Sequence, residues 1–161
     1  MKTINKLFFS LAVSIPLVSC REEVTPEPYT YSTRLTGKTS KTWRAVSYQA
    51  IKEAGDTFNY SISPCRRDDR YVYHAGTERR FEYVNGAVSC GSEPSGVLLE
   101  DTWEIVNNSA TLLTFFPPLL GGGKAPFIIQ RITKSEMVLD LFVDQANTIR
   151  FRVTFEAVSE E

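Results

Sequence analysis

The strongest constraint on the fold is a two-residue alternation of apolar and polar side chains near the end of the chain. Every second residue between positions 149 and 156 is apolar: Ile149, Phe151, Val153 and Phe155. A second stripe of the same period runs through Met137, Leu139, Leu141 and Val143. Successive side chains of a β-strand point to opposite faces, so each stripe forms an apolar face that a core must cover. The pattern predicts half-buried strands and does not support a long amphipathic helix.

The same interpretation extends over most of the chain. β-branched and aromatic runs alternate with turn signals and predict eight strands, at residues 42–51, 70–75, 78–84, 98–106, 110–116, 126–133, 137–144 and 148–157. The short connections favour antiparallel neighbours, because a parallel crossover needs a dozen or more residues. Since closure removes exposed sheet edges, we predict an all-β fold: an eight-stranded antiparallel up-and-down barrel.

Three connections carry distinct signals. Asn85-Gly86 is the strongest short hairpin signal in the chain. Residues 117–125, with two prolines and three glycines, predict a longer, mobile loop at the barrel mouth. Residues 50–57 have the composition of a helical turn.

Composition limits the class of protein. With 161 residues, of which 42% are apolar, the chain is long enough for one domain with a packed core. The formal net charge of −1 provides no basic surface. Nucleic acid is therefore not an expected partner.

The first residues predict an export signal. Two lysines precede an apolar run of about a dozen residues, which is shorter than the roughly 20 needed to span a bilayer, so residues 1–19 are interpreted as a signal peptide. Residues 17–20 read Leu-Val-Ser-Cys, which resembles the lipobox of bacterial lipoproteins. That resemblance implies that the Cys20 thiol is the lipid attachment site; the alternative is ordinary secretion. Residues 20–34 are expected to form a flexible tether, and residues 35–158 the barrel.

Cysteine usage fits an oxidising compartment. If Cys20 carries lipid, Cys65 and Cys90 remain as an even pair, and we expect a structural disulfide between them. A metal site would need more ligands nearby, and His74 is the only histidine in the sequence. We therefore expect no metal and no cofactor.

Several motifs together resemble a known group of proteins. They are Leu35-Thr36-Gly37 followed by Ser40-Lys41-Thr42-Trp43, then Pro64-Cys65-Arg66-Arg67-Asp68-Asp69, Cys90, and Trp103 in a strand. Over residues 35–156 this series is similar to the lipocalin-like lipoprotein domains of Gram-negative bacteria. The Gly-x-Trp of typical lipocalins is absent, because Gly37 lies six positions before Trp43. The resemblance implies an eight-stranded up-and-down barrel on a lipid anchor, in a group whose members mostly have no known ligand.

Six aromatic residues on the predicted strands can face the same side. These candidate ligand-binding residues are Tyr71, Tyr73, Phe81, Tyr83, Trp103 and Phe115. An eight-stranded barrel is just wide enough either to be filled by side chains or to hold one small ligand. The six residues therefore either fill the interior or line a cavity.

The usual catalytic constellations are missing from the sequence. Nucleophilic catalysis needs a base beside a serine or cysteine, and the lone His74 does not supply that arrangement with two paired cysteines. Asp68-Asp69 could act as acid and base or bind calcium, but the arginines around them favour charge neutralisation in a turn. The run Gly121–Lys124 fails the nucleotide-loop pattern, because Pro118 and Ala125 occupy two required positions. We expect a non-enzymatic protein with no catalytic residues.

Two functions remain open. The first is a lipid-anchored barrel that binds a small apolar or amphipathic molecule in its lumen. The alternative is a protein-interaction or inhibitor module that acts through its mouth loops on a partner in the cell envelope. Both place the protein in the envelope as an outer-membrane lipoprotein, on the periplasmic face or the cell surface.

Overall fold

The fold was obtained as a computed structural model, which describes residues 28–106, 110–143 and 148–161. Within these ranges there are two helices, Pro28–Thr36 (α1) and Pro117–Leu120 (α2), and a 3₁₀ turn at Pro64–Arg66. The described residues contain ten strands: Ser40–Lys52 (β1), Thr57–Tyr60 (β2), Arg70–His74 (β3), Arg80–Val84 (β4), Val97–Thr102 (β5), Glu104–Ile105 (β6), Thr111–Phe115 (β7), Lys124–Ile132 (β8), Glu136–Phe142 (β9) and Ile149–Glu160 (β10). The predicted signal peptide and Cys20 lie outside the described residues.

The strands form one antiparallel sheet that almost closes on itself. Its order is β5-β4-β3-β1-β10-β9-β8-β7-β6, and β2 also pairs with β1. The two ends of this path, β5 and β6, are separated in the chain only by Trp103. Because these ends meet, the sheet rolls into a nearly closed barrel. The predicted all-β antiparallel architecture is confirmed.

The number of strands differs from the prediction for two reasons. The expected strand at 98–106 is divided into β5 and β6, because Trp103 turns its side chain into the core at the break. In addition, β2 was not predicted. The described chain therefore has ten strands where eight were expected.

Residues 50–57 form a hairpin, and the helical turn expected there is wrong. Lys52 N–H donates to the carbonyl of Asp56, and Gly55 N–H donates to the carbonyl of Lys52. Gly55 has a φ of 91°. A turn that ends in a left-handed glycine is a common three-residue hairpin loop, and here it joins β1 to β2.

The predicted Asn85-Gly86 hairpin is also wrong. β4 and β5 are joined by residues 85–96, and Asn85 N–H donates to the carbonyl of Gly96 across the base of this loop. Gly86 N–H instead donates to Oδ1 of Asp69. Gly86 allows the β4–β5 loop to lie close to the turn before β3. A local sequence signal cannot reveal such a tertiary contact.

α1 covers one end of the barrel. It occupies residues 28–36, so the last part of the segment expected to be a tether is helical. Leu35 is buried in the core, and its carbonyl accepts a hydrogen bond of 2.9 Å from Nε1 of Trp43. This burial explains why a segment without an apolar period is nevertheless ordered. No helix within the described residues is long and apolar enough to span a membrane.

Candidate functional site

The six aromatic residues predicted to share one face do so. They belong to one buried cluster, here called the central cluster: Tyr71, Tyr73, Phe81, Tyr83, Trp103 and Phe115. β3 and β4 supply four of them, and cross-strand pairing sets Tyr71 opposite Tyr83 and Tyr73 opposite Phe81. Directly opposed residues of an antiparallel pair point to the same face, so the sheet register brings these rings together.

The central cluster is closely packed. Ring centroids lie 5.0 Å apart for Tyr73 and Phe81 and 5.5 Å apart for Phe81 and Phe115. No member exposes more than 4% of its surface. Since almost no surface remains for even a water molecule to touch, these rings fill the middle of the barrel.

Burial also changes the acid–base chemistry of the cluster. It raises the pKa of Tyr73 well above its usual range, an effect that the 2.9 Å hydrogen bond with Thr114 partly offsets. Burial is likewise the main cause of the raised pKa of Tyr71 and of Tyr83, whose hydroxyl donates to Asp69. All three phenols therefore remain neutral at ordinary pH.

A second aromatic group lies at the end of the barrel opposite α1. β1 ends there beside β2 and the start of β10. Tyr48, Tyr60 and Phe151 contact one another, and Phe58 lies on the same face of β2 as Tyr60. We call this group the aromatic rim. Tyr48 is paired with both Tyr60 and Val153, and Val153 is fully buried. The rim side chains therefore occupy the core-facing side of the sheet.

The rim combines contact with exposure. Tyr48 and Tyr60 stack with centroids 4.9 Å apart, and Phe151 lies 5.6 Å from Tyr48 and 6.1 Å from Tyr60. Tyr60 is nevertheless 47% exposed, and Phe58 is exposed to a similar degree. The Lys52 ammonium lies 4.8 Å from the centre of the Phe58 ring. The rim thus offers an apolar surface with one positive charge beside it.

Sequence reasoning did not select the rim. Phe58 and Tyr60 alternate with polar residues in the stretch Thr57–Tyr60. Four residues beside a turn signal are too few for this alternation to identify a strand. Tyr48 and Phe151 were placed on predicted strands without a functional assignment. The alternation at 58 and 60 is the signal that could have identified the rim.

The loop expected to be mobile at the mouth turns inward. Phe116 is 1% exposed, and α2 follows it directly. Gly121 ends α2 in a left-handed conformation with φ 58°. Lys124, considered for phosphate binding, is the first residue of β8 and pairs with Asp101 at 2.8 Å. This ion pair contributes most to the lowered pKa of Asp101. The segment at 116–123 thus lies over the mouth, and the stretch predicted to be a loop contains the short helix α2.

The opposite end of the barrel has two adjoining open clefts. Their volumes are about 570 and 510 Å³, and both are lined by Gly76, Arg79 and Trp103. Arg79 has a φ of 50° and lies over the Trp103 indole, 5.8 Å from its centre. The indole Nε1 donates to the carbonyl of His74. Trp103 is thus held from the β3–β4 turn and contributes little surface to either cleft.

Asp68 and Asp69 serve the architecture of the turn before β3. Asp69 is buried and accepts hydrogen bonds from Tyr83, from Arg66 at 3.4 Å and from Gly86 N–H at 2.9 Å. Asp68 accepts from Ala87 N–H at 2.6 Å. The arrangement agrees with the charge neutralisation inferred from the sequence.

The same turn is tied covalently to the loop after β4. Cys65 and Cys90 form the predicted disulfide, with their Cα atoms 5.1 Å apart. Arg66 forms an ion pair with Glu93 in the same loop. The disulfide prediction is therefore confirmed, and the two connections form one cross-linked unit.

No metal centre is visible among the described residues, which contain no group of three His, Cys, Asp or Glu side chains arranged to hold an ion. His74 is partly buried, and its Nε2 lies 3.3 Å from Oε2 of Glu82. A scan against protein-family models found no match, and a search of curated proteins found none either.

Proposed function

We propose that this chain is a non-enzymatic, lipid-anchored, lipocalin-like binding protein whose ligand is a small apolar or amphipathic molecule. The central cluster fills the middle of the barrel, so the site is proposed at the aromatic rim instead of deep in the lumen. At this end Phe58 and Tyr60, on the core-facing side of the sheet, remain exposed.

One observation carries the proposal: the rim rings lie on the core side of the sheet, and two of them, Phe58 and Tyr60, are still about half exposed. A ligand seated against Phe58, Tyr60 and Phe151 would bury apolar surface, worth about 25 cal/mol per Å². Lys52 at the edge of the rim would attract a negatively charged head group. An amphipathic molecule with an acidic end satisfies both features.

The rim is tested with the fluorescent apolar probe N-phenyl-1-naphthylamine. We expect Tyr60→Ala to weaken probe binding about tenfold, because it removes half of the Tyr48 stack. Val46→Ala is the matched control, since Val46 lies in the same strand as Tyr48 and is 46% exposed outside the rim. Equal probe affinity in the wild type and Tyr60→Ala would refute the site.

The anchor is proposed at Cys20, at the end of the lipobox-like residues 17–20. Several acyl chains, at about 0.8 kcal/mol per buried methylene, would hold the protein stably on a membrane. This places the protein in the cell envelope as an outer-membrane lipoprotein. We expect Cys20→Ala to abolish incorporation of radiolabelled palmitate and to release the protein from membranes; unchanged labelling would disprove the anchor.

A second candidate function is a protein-interaction module at the same end. Among the described residues β2 pairs only with β1, and all four residues of β2 are exposed. The Lys52–Asp56 pair is hydrogen-bonded, so the alternation of an antiparallel ladder directs the backbone groups of Thr57 and Asn59 away from β1. Such an edge can receive an extended strand from an envelope protein.

The two candidates respond differently to Asn59→Pro. This substitution removes an outward N–H from the β2 edge and leaves the rim rings in place. If the protein is an interaction module, Asn59→Pro should abolish cross-linking to envelope proteins and leave any probe binding unchanged. If the protein binds a ligand at the rim, Asn59→Pro should change neither cross-linking nor probe binding. Tyr60→Ala should then reduce probe binding alone.

A further inference from the structure

Phe116 places its ring inside the barrel, far from its own strand. The residue follows β7, but its ring contacts aromatic side chains of β1, β3 and β10. The centroids lie 5.6 Å from Tyr48, 5.9 Å from Tyr71 and 5.9 Å from Phe155. Tyr71 stacks on the ring, whereas Tyr48 and Phe155 meet it edge-on. We call these three neighbours the aromatic box.

The aromatic box is built by strands that do not include Phe116. β3, β1 and β10 are consecutive neighbours in the sheet, and the β1–β10 register runs from Lys41 to Lys52. Tyr71 and Phe155 also contact each other, with centroids 5.1 Å apart. The walls of the box are therefore fixed by strand pairing, independently of what occupies it.

The segment that carries Phe116 packs on the barrel through its side chains: Phe116 is buried, and Leu119 and Leu120 are partly buried against the core. Its backbone hydrogen bonds run within the segment, from the N–H groups of Leu119 and Leu120 to Phe116 and from Gly121 to Pro117. The short helix α2 has no side-chain cap, and its first two residues are prolines, which have no N–H. Gly121 and Gly122 both have positive φ, and no atom lies within 4 Å of a Cβ built at Gly121. Residues 116–123, the mouth segment, can therefore pivot between β7 and β8 without breaking sheet hydrogen bonds.

We propose that Phe116 occupies a binding site as a stand-in for the ligand, and that the aromatic box accepts a planar aromatic group when the mouth segment swings out. An aromatic ring that enters the box makes the same stacked and edge-on contacts that Phe116 loses. The free energies of the two states therefore differ little. A carboxylate would regain none of these ring contacts. The inference rests on the proposed function, because Tyr48 belongs to both rim and box and so connects the two.

The test compares probe binding in three forms of the full chain. Phe116→Ala empties the box, and we expect it to bind N-phenyl-1-naphthylamine at least tenfold more tightly than the wild type, with one probe per chain. Leu119→Ala is the control, because it removes apolar contact from the same segment and leaves the box occupied; its affinity should stay within twofold of wild type. A folded Phe116→Ala protein that binds no more tightly than wild type would overturn the proposal.

Stopped-flow kinetics on the wild type give a second measurement that does not depend on the folding of a variant. If the mouth segment must open first, the observed association rate levels off as probe concentration rises. A rate that increases linearly over the whole range would contradict the opening step.

The outcomes separate the two proposals. Binding by Phe116→Ala with none by wild type would support the box and overturn ligand binding as the natural function. Equal binding by both, lost in Tyr60→Ala, would support the rim and overturn the stand-in role of Phe116.

Discussion

At the scale of single residues, two glycines allow backbone to approach a neighbouring element closely. Gly37 ends α1 at φ 65°, and a Cβ there would lie 2.6 Å from Cγ of Glu160. Gly86 leaves no room for a Cβ beside the Asp68 carboxylate, which would lie 2.2 Å away at its carbon. These positions set how tightly the helix and the β4–β5 loop pack on the barrel.

Gly37→Ala tests this close approach. Alanine in a left-handed conformation costs about 1–2 kcal/mol, and the contact with Glu160 adds to that cost. Gly91→Ala is the matched control, because Gly91 has nearly the same φ, 64°, with nothing within 4 Å of a Cβ. We expect urea denaturation to show a larger loss of unfolding free energy for Gly37→Ala; equal losses would mean that Glu160 moves aside freely.

Sequence reasoning succeeded where a residue's environment is set by its own strand. The alternation predicted that Tyr71, Phe81 and Phe115 share a face, because a two-residue period depends only on local geometry. It failed at Gly86, whose conformation is set by Asp68 and Asp69 some seventeen residues earlier. A tertiary contact of this kind leaves no local pattern in the chain.

At the scale of elements, the disulfide joins two connections that have little apolar surface of their own. Cys65 lies in the 3₁₀ turn before β3, and Cys90 lies in the loop between β4 and β5. Ion pairs and backbone hydrogen bonds to Arg66, Asp68 and Asp69 reinforce the link. The unit holds together the two connections that flank the β3–β4 hairpin.

Removing the disulfide should therefore lower stability substantially. The cysteines are separated by 25 residues, and the chain-entropy relation for such a loop gives about 3.5 kcal/mol. We expect the Cys65→Ala/Cys90→Ala variant to lose about this much unfolding free energy in urea titrations. Cys20→Ala, which leaves the disulfide intact, should be unchanged in the same assay; a double variant as stable as wild type would show that the polar contacts alone hold the unit.

Element prediction was weakest where strands are short or interrupted. β2 has four residues, and β6 has two. A period of two needs more residues than this to stand out from chance. The helix α1 was not predicted for another reason. It is stabilised by the burial of Leu35 against the barrel end, and no pattern within residues 28–36 indicates that contact.

At the scale of the whole molecule, two features close the barrel. β1 and β10, near the two ends of the described chain, pair along almost their full length, and Trp103 connects β5 to β6. Trp103 N–H donates to the carbonyl of Arg79, and its indole donates to that of His74. The central cluster then fills the enclosed space, so the cooperativity of folding depends on rings contributed by distant strands.

Alkaline titration tests the burial of this cluster. The chain has seven tyrosines, and burial raises the pKa of Tyr71, Tyr73 and Tyr83 above the usual value near 10. A folded pKa above the unfolded one means that stability is retained below pH 10 and is lost as the pH rises beyond it. We expect absorbance at 295 nm to show at least three tyrosines that ionise only when circular dichroism reports unfolding. In guanidinium all seven should titrate together near pH 10; the same behaviour in the folded protein would contradict the packing.

The position of α1 relative to the rim sets a direction for the molecule. α1 adjoins the first residues of β1, and the rim begins at Tyr48, eight residues or about 26 Å further along that strand. A surface that held the chain immediately before Pro28 would lie on the side of the end covered by α1, with the rim at the other end. A ligand taken up from that surface would first have to pass along the barrel wall through water. A ligand that reaches the rim from the surrounding water, or from a membrane on the side of the rim, meets no such barrier.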